Sequence, residues 1–89
     1  MPEVVVLITF PSTYYALKAE KIVRGAGLQG RLIPMPRELS SLCGLALELE
    51  PGISTRALDL LLAAGVRLDK KAKAQKERGR FLIIEAVEE

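Results

Sequence analysis

A continuous apolar segment near the N-terminus places the strongest constraint on the fold. Residues 4–10 are apolar except for Thr9 and are rich in β-branched side chains. Such a segment predicts a strand covered on both faces, and therefore a central strand of a sheet. The unbroken apolar run at residues 4–8 is too short for a signal-peptide core or a membrane span. We therefore expect a globular domain that does not associate with a membrane.

A helix and a short strand are predicted next. Ser12 or Thr13 can cap the N-terminus of the helix. Apolar residues at helical spacing follow, namely Tyr15, Ala16, Ala19, Ile22, Val23 and Ala26. The glycine-rich stretch at residues 25–27 ends the helix. Residues 31–35 predict a short strand at an edge of the sheet, because Pro34 cannot donate to a strand ladder.

The second half of the chain predicts a further strand and helix. Leu45–Leu49 is a strongly apolar segment and predicts the third strand. Pro51 and Gly52 are typical of a turn. Ile53 and Ser54 then begin the second helix, with Ser54 as its N-cap.

A basic segment separates this helix from the last strand, which is predicted at residues 81–87. Residues 67–80 contain seven basic and two acidic residues. Their lysine, alanine and glutamine content favours a short helix. The segment is either a solvated connection or an electrostatic patch for an anionic partner, and charge runs of this kind favour the solvated connection.

The predicted order of elements, βαββαβ, indicates an α+β fold. It is the pattern of a ferredoxin-like domain, with a four-stranded antiparallel sheet and both helices on one face. We expect residues 1–89 to form one domain, with the first and third strands adjacent and antiparallel. Because residues 4–8 show no polar alternation, the other face of the sheet also needs a cover. A second copy of the chain would supply it, which predicts a homodimer.

The loop between the second and third strands contains the only cysteine of the chain, Cys43. Arg37 supplies a fixed positive charge on this loop, and Ser40 and Ser41 supply hydrogen-bonding hydroxyls. A thiol in such surroundings can be held as the nucleophilic thiolate. The alternative is that Cys43 is a small buried apolar residue at the start of a strand.

The cysteine count and the absence of histidine exclude several kinds of site. The chain has one cysteine and no histidine. It therefore cannot build a structural zinc site or an internal disulfide, and it lacks the commonest general base. No metal and no cofactor are predicted. A lone reduced thiol fits a cytoplasmic setting.

The predicted topology brings the cysteine loop close to the first helix. The end of the first strand, the start of the first helix and the loop before the third strand share one end of the sheet. Cys43 and Gly44 should therefore lie near Ser12 and Thr13, where the amides of the helix N-terminus favour an anion. Gly44 has no side chain beside the sulfur, which would allow close approach of a ligand.

Two segments resemble a known family. Residues 9–21, TFPSTYYALKAEK, and residues 36–47, PRELSSLCGLAL, are similar to the motifs of a small bacterial family of selenium/sulfur carrier-like proteins, formerly a domain of unknown function. The resemblance covers about residues 4–65. It implies that Cys43 is the carrier residue and holds a persulfide or selenium for a partner. Leu42 is bulkier than the family pattern at this position, and the resemblance does not extend to the basic segment or the last strand.

The leading hypothesis is therefore a carrier that works with donor and acceptor proteins and is not an enzyme by itself. Arg37 would stabilise the thiolate, and Ser12, Thr13, Ser40 and Ser41 would hydrogen-bond the bound chalcogen. For Ser12, helix capping is the alternative role. A second hypothesis is a ligand-sensing or interaction module with an oxyanion site at the first helix N-terminus. Nucleic-acid binding through the basic segment is a third, and the aromatic content of 4% and net charge of +2 count against it.

Overall fold

In the computed structural model, the chain is an α+β protein with two helices and an antiparallel sheet. The structure describes residues 3–35, 43–78 and 80–88, and the side chains of these residues up to residue 85. The elements in chain order are β1 (Glu3–Thr9), α1 (Thr13–Gly25), β2 (Gly30–Pro34), β3 (Leu45–Leu49), α2 (Pro51–Ala63), β4 (Lys70–Glu77) and β5 (Arg80–Glu88).

The described residues form five strands in the order β2-β3-β1-β4-β5. The prediction of a four-stranded sheet was wrong, because β5 adds a strand outside β4. The central position of β1 is confirmed, and so is its antiparallel pairing with β3, in which Ile8 lies opposite Leu47. As predicted, β2 is an edge strand.

The basic segment is the clearest correction. Most of it forms strand β4, which pairs with β1 on one side and β5 on the other, whereas a short helix or solvated connection was predicted. Ala72 and Ala74 are buried on one face of the strand, while Lys71 and Lys73 lie on the other. The intrinsic helix preference of lysine and alanine is therefore overridden by pairing with the open edge of β1.

Both helices begin at residues that suit a helix N-terminus. Ser12 caps α1, as predicted, with its side chain accepting from the Tyr15 amide. The N-cap of α2 lies four residues before the predicted Ser54: it is Glu50, which makes no side-chain cap bond, and Pro51 occupies the first turn. Proline suits that position because its missing N–H would have no partner there. Ser54 lies inside the helix, where its hydroxyl donates to the Pro51 carbonyl at 2.9 Å.

The main core lies between the helices and one face of the sheet. Alternate residues of β1, Val6 and Ile8, point into it together with Phe10. The helices contribute small side chains, Ala16 and Ala19 from α1 and Ala57 from α2, which let them approach the sheet closely. Neither helix, among the residues described, is long and apolar enough to cross a membrane.

A second, smaller core lies on the face away from the helices. Its buried residues all come from strands: Val5, Leu7, Ala46, Ala72 and Ala74. Further strand side chains pack over them, including Ile33, Phe81 and Ile83. The prediction that this face is covered is therefore met within one chain. A homodimer stays a prediction, but a second copy is no longer needed to bury these residues.

An ion-pair network extends across the same face. The Glu48 carboxylate on β3 receives hydrogen bonds from Lys76 Nζ on β4 at 3.1 and 3.3 Å, and Arg31 Nε on β2 lies 3.4 Å away. β1 runs between β3 and β4, so the Lys76 side chain spans the central strand. Lys76 Nζ also lies 5.8 Å from the Phe81 ring centroid. The network therefore links four of the five strands.

Candidate functional site

The end of the sheet that carries Cys43 is defined by three backbone features. Thr9, at the end of β1, pairs with Ala46 near the start of β3. The Met35 amide donates to the Gly44 carbonyl at 3.0 Å and closes the β2–β3 ladder. α1 begins at Thr13, four residues after β1 ends. The predicted convergence of Cys43 and the start of α1 at one end of the sheet is thus present in the backbone.

The Cys43 side chain lies on the helix side of the sheet and is half-buried. It packs against the main core, on the same face as Leu45 and Leu47 of β3. Its Sγ donates to the Leu45 carbonyl oxygen at 3.4 Å. The thiol is therefore held in one direction by a backbone acceptor. Cys43 is neither fully buried nor freely exposed.

Gly44 has a conformational role. Its φ is +73°, in the left-handed region where glycine is favoured, and a Cβ built on it would meet no atom within 4 Å outside its two chain neighbours. The residue therefore allows the chain to turn from the cysteine loop into β3 without backbone strain. The expectation that Gly44 makes space beside the sulfur stays a prediction.

Ser12 and Thr13 lie at the start of α1. The Tyr15 amide donates to Ser12 Oγ at 3.5 Å, so this oxygen serves as the helix cap. Thr13 is exposed. The first turn of α1 contains no acidic residue, which leaves the positive end of the helix dipole without a counter-charge from its own first turn. Binding of an anion by Ser12 and Thr13 stays a prediction.

Arg37, Ser40 and Ser41 lie outside the residues that the structure describes. Their predicted roles, stabilisation of the thiolate and hydrogen bonding to a chalcogen, stay predictions. The same holds for the effect of Leu42 on access to the sulfur.

A polar contact at this end of the sheet was missed by the sequence reasoning. Thr9 is fully buried, and its Oγ1 donates to Asp69 Oδ2 at 3.2 Å and accepts from the Lys70 amide at 3.0 Å. The Asp69 amide donates to the Thr9 carbonyl at 2.8 Å. These bonds fasten the start of β4 to the end of β1. The signal in the sequence was the single polar residue in an otherwise apolar strand.

The described residues form a cavity away from Cys43, and they contain no metal-binding cluster. A surface cavity of about 440 Å³ lies where α1 ends and β2 begins, at the end of the sheet away from Cys43. Within residues 3–35, 43–78 and 80–88 there is no group of three or more His, Cys, Asp or Glu side chains placed to hold a metal ion. The cysteine site on the described residues is therefore a surface thiol at a sheet end.

The fold and the site define a small α+β protein with one half-buried cysteine at an end of its sheet. Comparison with family models places it more closely. Residues 6–73 match the model of a family described as "Putative Se/S carrier protein-like", and the chain belongs to that family. The match confirms the resemblance found in the sequence, and it includes Cys43. Searches of curated proteins and of solved structures find no match.

Proposed function

We propose that the chain carries sulfur or selenium on Cys43 and passes it from a donor protein to an acceptor protein. The observation that carries the proposal is the half-buried Cys43 thiol, held at an end of the sheet, in a chain whose family model spans that residue. A carrier needs a thiol that partners can reach, and a fold that holds it in one place.

The chemistry is a thiol exchange that leaves the total oxidation state unchanged. The Cys43 thiolate attacks the outer sulfur of a donor persulfide, R–S–SH. The S–S bond of the donor breaks, R–S⁻ leaves with the electron pair, and Cys43–S–SH forms. In the second half, an acceptor thiolate attacks the outer sulfur and Cys43–S⁻ leaves. A selenium atom takes the place of the outer sulfur in the same scheme, and the thiolate is the reacting form in both halves.

In this scheme, the fold holds the Cys43 sulfur in a defined position. β3 begins two residues after Cys43, and its first residue is paired with β2. The Leu45 carbonyl accepts from Sγ in the thiol form, so the sulfur has a defined direction at rest. The start of α1 at the same end of the sheet would favour the anion that forms in each half-reaction.

Several further features belong to the same proposal. The order β2-β3-β1-β4 of the first four strands supports a ferredoxin-like unit to which β5 is added. We infer a cytoplasmic setting, because a lone thiol persists reduced there. Partners that donate and accept the chalcogen follow from the chemistry, since the chain contains no second cysteine.

The alternatives gain less from the structure. Nucleic-acid binding was based on a single basic segment, but on β4 Lys71 and Lys73 lie on one face and Lys70 and Lys76 on the other. The other alternative is an oxyanion site at α1 without the cysteine, and anion binding that is unchanged in a Cys43→Ser variant would favour it.

Intact-mass analysis tests the carrier function. The protein, purified without reductant, is treated with inorganic polysulfide and desalted. We expect a mass gain of one sulfur atom that cyanide or dithiothreitol removes, and no gain in Cys43→Ser. Because Cys43 is the only cysteine, an adduct that persists in this variant would contradict the assignment.

A control separates a carrier from a thiol that is merely reactive. The lifetime of the adduct is compared between the folded protein and the protein in urea. A carrier fold should slow the loss of the outer sulfur and should still pass it to an added thiol. Equal lifetimes in the two states, or a thiol that reacts only in urea, would refute the proposal.

A further inference from the structure

The solvent face of α1 carries two exposed apolar side chains. Tyr14 is 64% exposed and Leu17 is 54% exposed. They are three residues apart and therefore neighbours on the helix surface. The buried residues of the same helix, Ala16, Ala19 and Val23, lie on the opposite side. The exposed pair is thus a surface feature and not part of the core.

Basic residues occupy the rest of this face. Lys18, Lys21 and Arg24 follow Tyr14 at intervals of four, seven and ten residues, which places all three beside the apolar pair. The single acidic residue of α1, Glu20, faces β2, where its carboxylate accepts from the Leu32 amide at 3.4 Å. We name the set Tyr14, Leu17, Lys18, Lys21 and Arg24 the outer face of α1.

The Tyr14 ring is held in place before any partner binds. It meets the Tyr15 ring edge-on, with centroids 5.2 Å apart. Lys18 Nζ lies 5.9 Å from the Tyr14 ring centroid. A pre-positioned aromatic side chain loses little freedom on binding and is typical of the centre of a protein interface.

We propose that the outer face of α1 is a docking surface for a protein whose own surface has an apolar patch bordered by Asp and Glu. The apolar pair would occupy the centre of the contact, and the three cations would meet the carboxylates around it. The three positive charges of this face favour an acidic partner and repel a basic one. An anionic membrane is a different occupant, and it would require a broader apolar face than two side chains provide.

The surface is placed to serve the cysteine. Tyr14 lies in the first turn of α1, and α1 begins at the end of the sheet where Cys43 lies. A protein seated on the outer face beside Tyr14 would therefore lie at the same end of the sheet as the sulfur. The identification of this partner as the chalcogen donor or acceptor rests on the proposed function, whereas the docking surface itself does not.

The test uses the full chain and a defined probe. The probe is a fluorescein-labelled synthetic helical peptide with leucine and phenylalanine on one side, flanked by glutamates, and binding is followed by fluorescence anisotropy. We compare Tyr14→Ser/Leu17→Ser and Lys18→Glu/Lys21→Glu with the wild type. Lys71→Glu/Lys73→Glu is the matched control, since it reverses two basic residues that are not on α1. Circular dichroism checks that each variant is folded.

We expect each α1 double variant to weaken binding by about tenfold or more, the size of a hot-spot loss, and the β4 control to bind like the wild type. Binding should also weaken with added salt. Failure of the wild type to bind, or equal losses in the control, would overturn the inference. Preferential binding of the wild type to vesicles containing phosphatidylserine would overturn it in favour of a membrane surface.

The two proposals fail separately. Formation of the sulfur adduct from polysulfide uses a small reagent and needs no docking, so the α1 variants should form it like the wild type. An adduct on Cys43 without peptide binding would remove the docking surface alone. Peptide binding that depends on α1, without an adduct on Cys43, would remove the carrier function alone.

Discussion

The ion pair between Glu48 and Lys76 provides a quantitative test of how much a sheltered ion pair on the second face of the sheet stabilises the fold. The Glu48 side chain is 11% exposed and the Lys76 side chain 24%, whereas Arg31, which meets the same carboxylate, is 64% exposed. One carboxylate thus makes a sheltered and an exposed ion pair. The comparison separates the effect of burial from that of charge.

The expected magnitudes follow from this difference. A charge-assisted hydrogen bond in a sheltered position contributes about 1.5–3 kcal/mol, and an exposed ion pair about 0.2–1 kcal/mol. We therefore expect Glu48→Gln to lower the free energy of unfolding by about 2 kcal/mol. In double-mutant cycles, the coupling of Glu48 to Lys76, with Lys76→Met, should be about 1–2 kcal/mol. The coupling to Arg31, with Arg31→Met, should be below about 0.5 kcal/mol.

Urea denaturation followed by circular dichroism measures both cycles. Both methionine variants keep the aliphatic part of the side chain, so the loss is mainly electrostatic. In about 1 M salt the Debye length falls to about 3 Å. There the coupling to Arg31 should vanish, while the coupling to Lys76 should largely remain. Equal couplings for the two cations would refute the reasoning that burial decides the strength of this network.

Three further substitutions test local features of the fold by urea denaturation. Gly30→Ala should destabilise the fold by about 1–3 kcal/mol, since the new Cβ would lie 2.7 Å from Leu49 Cδ2. In the control Gly25→Ala, the new Cβ has no such neighbour within 4 Å. An equal loss of stability in the control would contradict the packing argument. Arg78→Gly should stabilise by about 0.5 kcal/mol, because Arg78 has a φ of +52°; a loss of stability would show that the arginine side chain outweighs the strain. Ser12→Ala should destabilise by about 0.5–1 kcal/mol through loss of the α1 cap, and no change would mean that the 3.5 Å bond contributes little.

The parts of the fold that sequence reasoning predicted best are those in which local pattern and burial agree. β3 has the predicted bounds, and β1 differs from its prediction by one residue at each end. Both strands contribute apolar residues to the two faces of the sheet, and most of these residues are buried. The Ser12 cap follows from side-chain chemistry that operates within a few residues. Such signals do not depend on the rest of the chain.

The failures occur where tertiary pairing or proline chemistry decides. β4 has a helix-favouring composition, and it forms a strand because it pairs with β1 on one side and β5 on the other. The alternation of Ala72 and Ala74 with lysines indicated a strand. The prediction followed the charge and composition of the segment instead. At α2, the pair Pro51 and Gly52 also fits a turn, and the structure uses it as the first turn of the helix.

At the candidate site, the sequence predicted the position of Cys43 better than the roles of its neighbours. Strand order follows from the order of elements, so the convergence of the cysteine with the start of α1 was predictable. The left-handed backbone of Gly44 was not predicted, because a glycine beside a cysteine gives no local sign of its φ. The exposure of Tyr14 was also not predicted. The helical spacing of apolar residues indicates which side of α1 is buried, but it does not indicate whether the outer face binds a partner.

The two faces of the sheet differ in which parts of the chain pack against them. Cys43 and α1 lie on the helix side, within the residues that match the family model. That match ends at Lys73, in the middle of β4. Phe81 and Ile83 of β5 come after it and pack on the second core, as Ile33 and Met35 do from within the match. Since β5 contacts the second core and Cys43 packs against the first, β5 can stabilise β1 without approaching the sulfur. The added strand therefore extends the sheet beside β4, on the side of β1 away from β3, the strand that follows Cys43.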